Sequence, residues 1–62
     1  MTLADTARRL LEMRAELETI RRTLGDAGNH YAEATIECAR WCVGVAAAHA
    51  DLETFKTITG QE

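Results

Sequence analysis

The sequence predicts an all-α fold: an antiparallel two-helix hairpin with heptad packing, completed by homo-oligomerisation. Three observations lead there. Leucine stands at positions 3, 10, 17 and 24, and the seven-residue spacing continues as Tyr31, Cys38, Val45, Leu52 and Thr59. The positions three further on read Thr6, Met13, Ile20, Ala27, Ala34, Trp41, Ala48 and Phe55. Apolar residues at both heptad positions mark helices packed side by side. Proline is absent, and Ala, Leu, Glu and Arg dominate, a composition that favours long helices. The only obvious breaker cluster is Gly25-Asp26-Ala27-Gly28-Asn29.

Helix 1 is expected over about residues 3–24. Thr2 is placed to cap it, and Asp5 answers from three residues on, a capping-box arrangement. Asp5–Arg9, Arg8–Glu12, Arg14–Glu18 and Glu18–Arg22 are each four apart. Such pairs add only ~0.2–0.5 kcal/mol each, so they mark a solvated face without deciding the fold. Gly25 stands where a left-handed closing residue is wanted. Residues 25–29 form the turn, with Asn29 or Gly28 as the next cap. Helix 2 is expected over about residues 30–59. The heptad register crosses the turn unbroken, so one helix about 85 Å long, at ~1.5 Å per residue, is the alternative.

A hairpin of these lengths leaves helix 2 overhanging by about two turns. The overhang carries Leu52, Phe55 and Ile58, which helix 1 is not expected to cover. Helix 2 also bears a second apolar stripe at Ile36, Val43 and Ala50. Ala39, Cys42, Gly44, Ala46, Ala47 and Ala48 are small and permit close approach. A helix apolar on nearly all sides is a buried helix. Ile36, Val43, Ala50, Leu52, Phe55 and Ile58 are therefore the expected oligomer interface, with closed symmetry as the default.

Sixty-two residues make one domain at most, and a chain this short usually needs disulfides, a metal or partner chains. Net charge is −3, which speaks against general nucleic-acid binding. Residues 1–25 carry +1 and residues 26–62 carry −4. Six of the seven bases are arginine, the side chain that matches phosphate and carboxylate geometry. No apolar run reaches the ~20 residues that span a bilayer. The N-terminus lacks the charged start and apolar core of a secretion signal. Two cysteines without such a signal point to a reducing cytoplasm and free thiols.

Catalytic motifs are missing: there is no nucleophile elbow, phosphate loop or His-Glu-x-x-His. No enzyme activity and no cofactor are expected. Cys38, Cys42 and His49 share a helical face, but His49 lies about 10 Å along the axis from Cys42. One ion cannot reach all three, so the cysteines are read as small packing residues rather than metal ligands. Arg40 and Trp41 put a guanidinium beside a large aromatic, with Glu37 one turn before. Stacking and guanidinium–phosphate contacts are the usual means of holding a nucleotide. The competing reading puts Trp41 in the core and Arg40–Glu37 in a surface pair. His30 and Tyr31 open helix 2, where unpaired backbone N–H groups favour anions.

The segment Ile36-Glu37-Cys38-Ala39-Arg40-Trp41-Cys42-Val43-Gly44 resembles part of a family of small phage helical hairpins. Those proteins lead from a short helix through a polar turn to a longer helix carrying roughly Leu-Glu-Glu-Ala-x-x-Trp. Ile36, Glu37, Ala39, Arg40 and Gly44 fit an ungapped match to some members. Cys38 replaces the second glutamate, and Trp41 lies one residue early. Members include viral sponges that assemble as oligomers and sequester cyclic-nucleotide or ADP-ribose-type immune signals. The resemblance implies a non-enzymatic sponge in the cytoplasm of a bacterium or infected cell. Arginines would meet phosphates there, and Trp41 or Tyr31 would stack on bases. The alternative is a helical protein-interaction module such as an inhibitor, adaptor or assembly factor. It would present the Leu52–Phe55–Ile58 end, or the arginine face of helix 1, to another protein.

Overall fold

The computed structural model describes residues 1–60 and is entirely helical where it has regular structure: α1 (Leu3–Asp26), α2 (His30–Ala50) and α3 (Leu52–Thr59). The caps follow the local chemistry. The Thr2 hydroxyl accepts from the Asp5 N–H at 3.0 Å, and the Asp5 carboxylate accepts from the Thr2 N–H at 3.3 Å. The expected capping box is therefore formed. Arg8 turns back to Asp5 at 3.1 Å. Of the four pairs expected at four-residue spacing, only Arg22–Glu18 closes among the described residues, at 3.3 Å.

The left-handed closing residue comes three residues later than expected. Gly25 stays helical, and Gly28 takes the left-handed conformation at φ 78°. Gly28 N–H donates to Gly25 O at 3.0 Å and Asn29 N–H to Leu24 O at 2.9 Å. This paired closure satisfies the last carbonyls of α1. Gly25 serves a different need, because a Cβ there would lie 2.7 Å from Glu33 Oε2. Asn29 then caps α2 through its side chain, accepting from Ala32 N–H at 3.3 Å. The chain thus turns back as a hairpin, and the single long helix is set aside.

Helix 2 does not continue to residue 59. Asp51 is extended, at φ −158° and ψ 99°, and serves as C-cap of α2 and N-cap of α3. Its carboxylate accepts from Thr54 N–H at 3.1 Å. A short acceptor that competes for backbone N–H groups favours this geometry over helix continuation. The break returns α3 over the hairpin, where it touches both α1 and α2. Phe55 lies against Arg14 of α1, and Ile58 shares a hollow with Leu11 and Ala15. The expected uncovered overhang is corrected accordingly: Phe55 is half-buried, while Leu52 and Ile58 stay exposed.

The α1–α2 seam is not the one the heptad predicts. It runs through Ala7, Leu11, Arg14, Glu18, Arg21 and Gly25 on α1, against Glu33, Glu37, Arg40, Gly44 and Ala47 on α2. Among the described residues only Ala7, Leu11 and Ala47 are buried apolar side chains, and no large side chain is fully buried. The leucine stripe of α1 sits one residue before this seam. The Ala34–Cys38–Trp41–Val45 stripe of α2 sits one residue after it. Each step turns a helix by about 100°. In an antiparallel pair, steps of opposite sign turn to opposite sides. The two stripes therefore lie on opposite faces and do not meet. Tyr31 is 93% exposed and Trp41 70%. Ile36 and Val43, one residue before the seam on α2, share the face of the leucine stripe, and they and Ala50 are half-buried. No helix among the described residues is long and apolar enough to cross a membrane.

Candidate functional site

Two hollows of the hairpin are lined by Arg40. The larger, about 450 Å³, lies toward the turn between Glu18, Arg21, His30, Glu33, Ala34, Glu37 and Arg40. Its charges satisfy one another. Arg21 grips Glu18 with two bonds, at 2.7 and 2.9 Å, and reaches Glu33 at 3.1 Å. Arg40 grips Glu37 at 2.6 and 3.0 Å, and its Nε lies 3.5 Å from Glu18. Hydrogen bonding from Arg21 holds the Glu18 carboxyl at about 2, with the charges of Arg21, Arg22 and Arg40 acting the same way. Hydrogen bonding from Arg40 likewise lowers Glu37. Three carboxylates against two guanidiniums make this hollow a closed ionic clasp between the helices, poorly suited to a further anion.

The second hollow, about 280 Å³, is lined by Arg14, Arg40, Trp41, Gly44, Val45, Ala48 and Phe55. The Arg14 guanidinium carbon stands 5.9 Å from the centre of the Phe55 ring, within cation–π range. Among the described residues Arg14 has no carboxylate within ion-pair distance. Gly44 makes this placement possible, since a Cβ there would lie 2.9 Å from Arg14 Nη1. The hollow joins two guanidiniums, two aromatic rings and a small-residue floor.

The predicted site residues divide between these places. Arg40 lines both hollows, and Glu37 is its clasp partner. Trp41 lines the second hollow with Arg40, away from the core. His30 belongs to the first, with its Nδ1 3.2 Å from Glu33 Oε1. Tyr31 lines neither, and the start of α2 lies ~15 Å along the axis from Trp41. Within one chain the fold brings His30 and Glu37 to Arg40 in the first hollow and Trp41 to Arg40 in the second, and leaves Tyr31 apart from both. Arg14 and Phe55 are the residues sequence reasoning assigned elsewhere, to a surface pair and to an oligomer interface. Gly44 inside a helix, followed seven residues later by a capping Asp51, was the available signal. Cys38 and Cys42 are free and exposed. Among the described residues, no group of three or more His, Cys, Asp or Glu side chains is placed to hold a metal.

No family model, no curated protein and no solved structure matches the chain.

Proposed function

We propose that this chain is a non-enzymatic binding protein, acting as a homo-oligomer, that takes a planar-ringed anion of the nucleotide type in the hollow between α2 and α3. One observation carries the reading: Arg14, without a carboxylate partner among the described residues, lies against Phe55 in a hollow shared with Trp41 and Arg40. A guanidinium beside aromatic faces is the arrangement that grips a phosphorylated base. Arg40 adds charge, although Glu37 engages two of its nitrogens. Arg14 is therefore the principal anion contact. The resemblance to viral sponge hairpins supports capture without chemistry, in a reducing cytoplasm where Cys38 and Cys42 stay as thiols.

A thermal-shift screen against cyclic dinucleotides, cyclic trinucleotides and cyclic ADP-ribose variants tests the reading. A bound ligand at a hundredfold excess over its Kd stabilises by ~2.7 kcal/mol. For a domain of this size that is a rise of more than about 10 °C. Arg14→Ala weakens binding tenfold or more, which at the same ligand concentration cuts the stabilisation to ~1.4 kcal/mol or less. An equal response from Arg14→Ala overturns the site. If no nucleotide raises the melting temperature, the interaction-module reading becomes the better account. The half-exposed Leu52 and Ile58 of α3 favour that second reading.

A further inference from the structure

The face opposite α3 carries a different pattern. Leu3, Leu10, Met13, Leu17, Ile20 and Leu24 form a heptad stripe along α1, one residue before the seam. Leu3, Met13 and Ile20 are 67%, 44% and 46% exposed. A core of Ala7, Leu11 and Ala47 is far too small to offset the ordering of a chain this long. The chain exposes 4499 Å², where a monomer of its mass is expected to expose about 4,000 Å². The excess is about 500 Å², somewhat over half of the ~800 Å² that each partner contributes to a standard interface.

Charge on the same face identifies the occupant. Arg9 and Glu16 border the leucine stripe, seven residues apart, and both are exposed. Among the described residues neither makes an ion pair. We infer that a second copy of this chain covers the stripe, with α1 packed antiparallel on α1 about a two-fold axis and Arg9 of each copy against Glu16 of the other.

The register follows from the stripe. Leu10 lies opposite the partner's Met13, Leu3 opposite the partner's Ile20, and Leu17 opposite the partner's Thr6. In that register the bordering positions bring Arg9 to the partner's Glu16, and the two-fold axis repeats the contact. A parallel copy would set Arg9 beside the partner's Arg14, a like charge. It would set Glu16 beside the partner's Arg21, whose counterpart here is already held by Glu18 and Glu33. The antiparallel pairing is self-complementary and the parallel one is not. It leaves the Arg14–Phe55 hollow on the far side. It deepens the self-association proposed above and is independent of any ligand.

Charge exchange tests this directly by sedimentation equilibrium, with helicity followed by circular dichroism. Arg9→Glu places two acids together twice, and Glu16→Arg does the same with two bases. Each single variant dissociates more readily, with Kd raised on the order of tenfold. An equimolar mixture of the two, or the double variant Arg9→Glu/Glu16→Arg, recovers the parent affinity. If the single variants lose helicity, recovery on mixing supports the pairing, and failure to recover overturns it. A parent that associates while the single variants keep its Kd overturns the pairing and leaves self-association standing. A helical monomer at micromolar concentration overturns both.

Discussion

Gly44→Ala separates the clasp from the hollow, because its two effects on stability nearly cancel. Alanine in place of glycine within a helix gains about 1 kcal/mol. The new Cβ would stand 2.9 Å from Arg14 Nη1 and 3.3 Å from Arg14 Cδ. The nearest atom is the far end of a flexible side chain, so Arg14 swings aside rather than the helices parting. The displaced guanidinium gives up its contact with Phe55, worth about 0.5–1 kcal/mol. The net change is within about 0.5 kcal/mol, or about 4 °C in melting temperature. Melting is followed by circular dichroism at fixed protein concentration, since association makes the midpoint concentration-dependent. Ligand binding falls sharply in the same variant, because the methyl group occupies the floor of the hollow and moves Arg14. A fall of more than about 10 °C would show the helix backbones, not Arg14, filling the space over Gly44. An undiminished ligand response would show that the hollow is not the site.

Three further outcomes follow from the same geometry. The Glu18 carboxyl titrates at about 2 in the folded chain against an ordinary 4.5. A lowered folded value stabilises above pH 4.5 and is lost as pH falls towards 2. Glu37 and Asp5 shift in the same direction. Helicity in an acid titration therefore holds from pH 7 to 5 and declines below 4.5, and Glu18→Gln flattens that decline; equal slopes would contradict the clasp. Leu11→Ala removes the largest buried apolar side chain and costs about 2–3 kcal/mol, at the low end for core truncations because the site is open on one side. The chain then melts at least about 10 °C lower. Asp51→Ala removes the α3 cap at about 1 kcal/mol, read as faster hydrogen exchange at Thr54 and Phe55 with α1 protection unchanged.

Helix ends were legible because caps are local. Thr2 with Asp5, and Asn29 before Ala32, announce themselves within four residues. Gly28 rather than Gly25 closes α1, and Gly25 instead lies under the Glu33 carboxylate, a contact that sequence spacing does not display. The seam is hidden in the sequence for a related reason. A search for apolar periodicity finds the leucine and tryptophan stripes, but here the helices meet through Glu18, Arg21, Glu33, Glu37 and Arg40. Those side chains are compatible with a contact because each finds its counter-charge across or along the helix. Their complementarity appears only once antiparallel pairing sets the register. The break at Asp51 was hidden by the absence of glycine and proline beside it. Arg40 and Trp41 were found as neighbours in sequence. Arg14 and Phe55 join them only through the fold, one across the seam and one after the break.

The placement of ionic residues inside and apolar stripes outside is most directly tested by the mass of the unmodified chain in solution. Sedimentation equilibrium at micromolar concentration, with helicity measured on the same sample, is predicted to give a whole multiple of the 6.8 kDa chain mass, two or greater. Helicity should fall together with the mass on dilution, because the interior of one copy is too small to hold the helices alone. A mass of 6.8 kDa with full helicity and a cooperative melt would contradict the account.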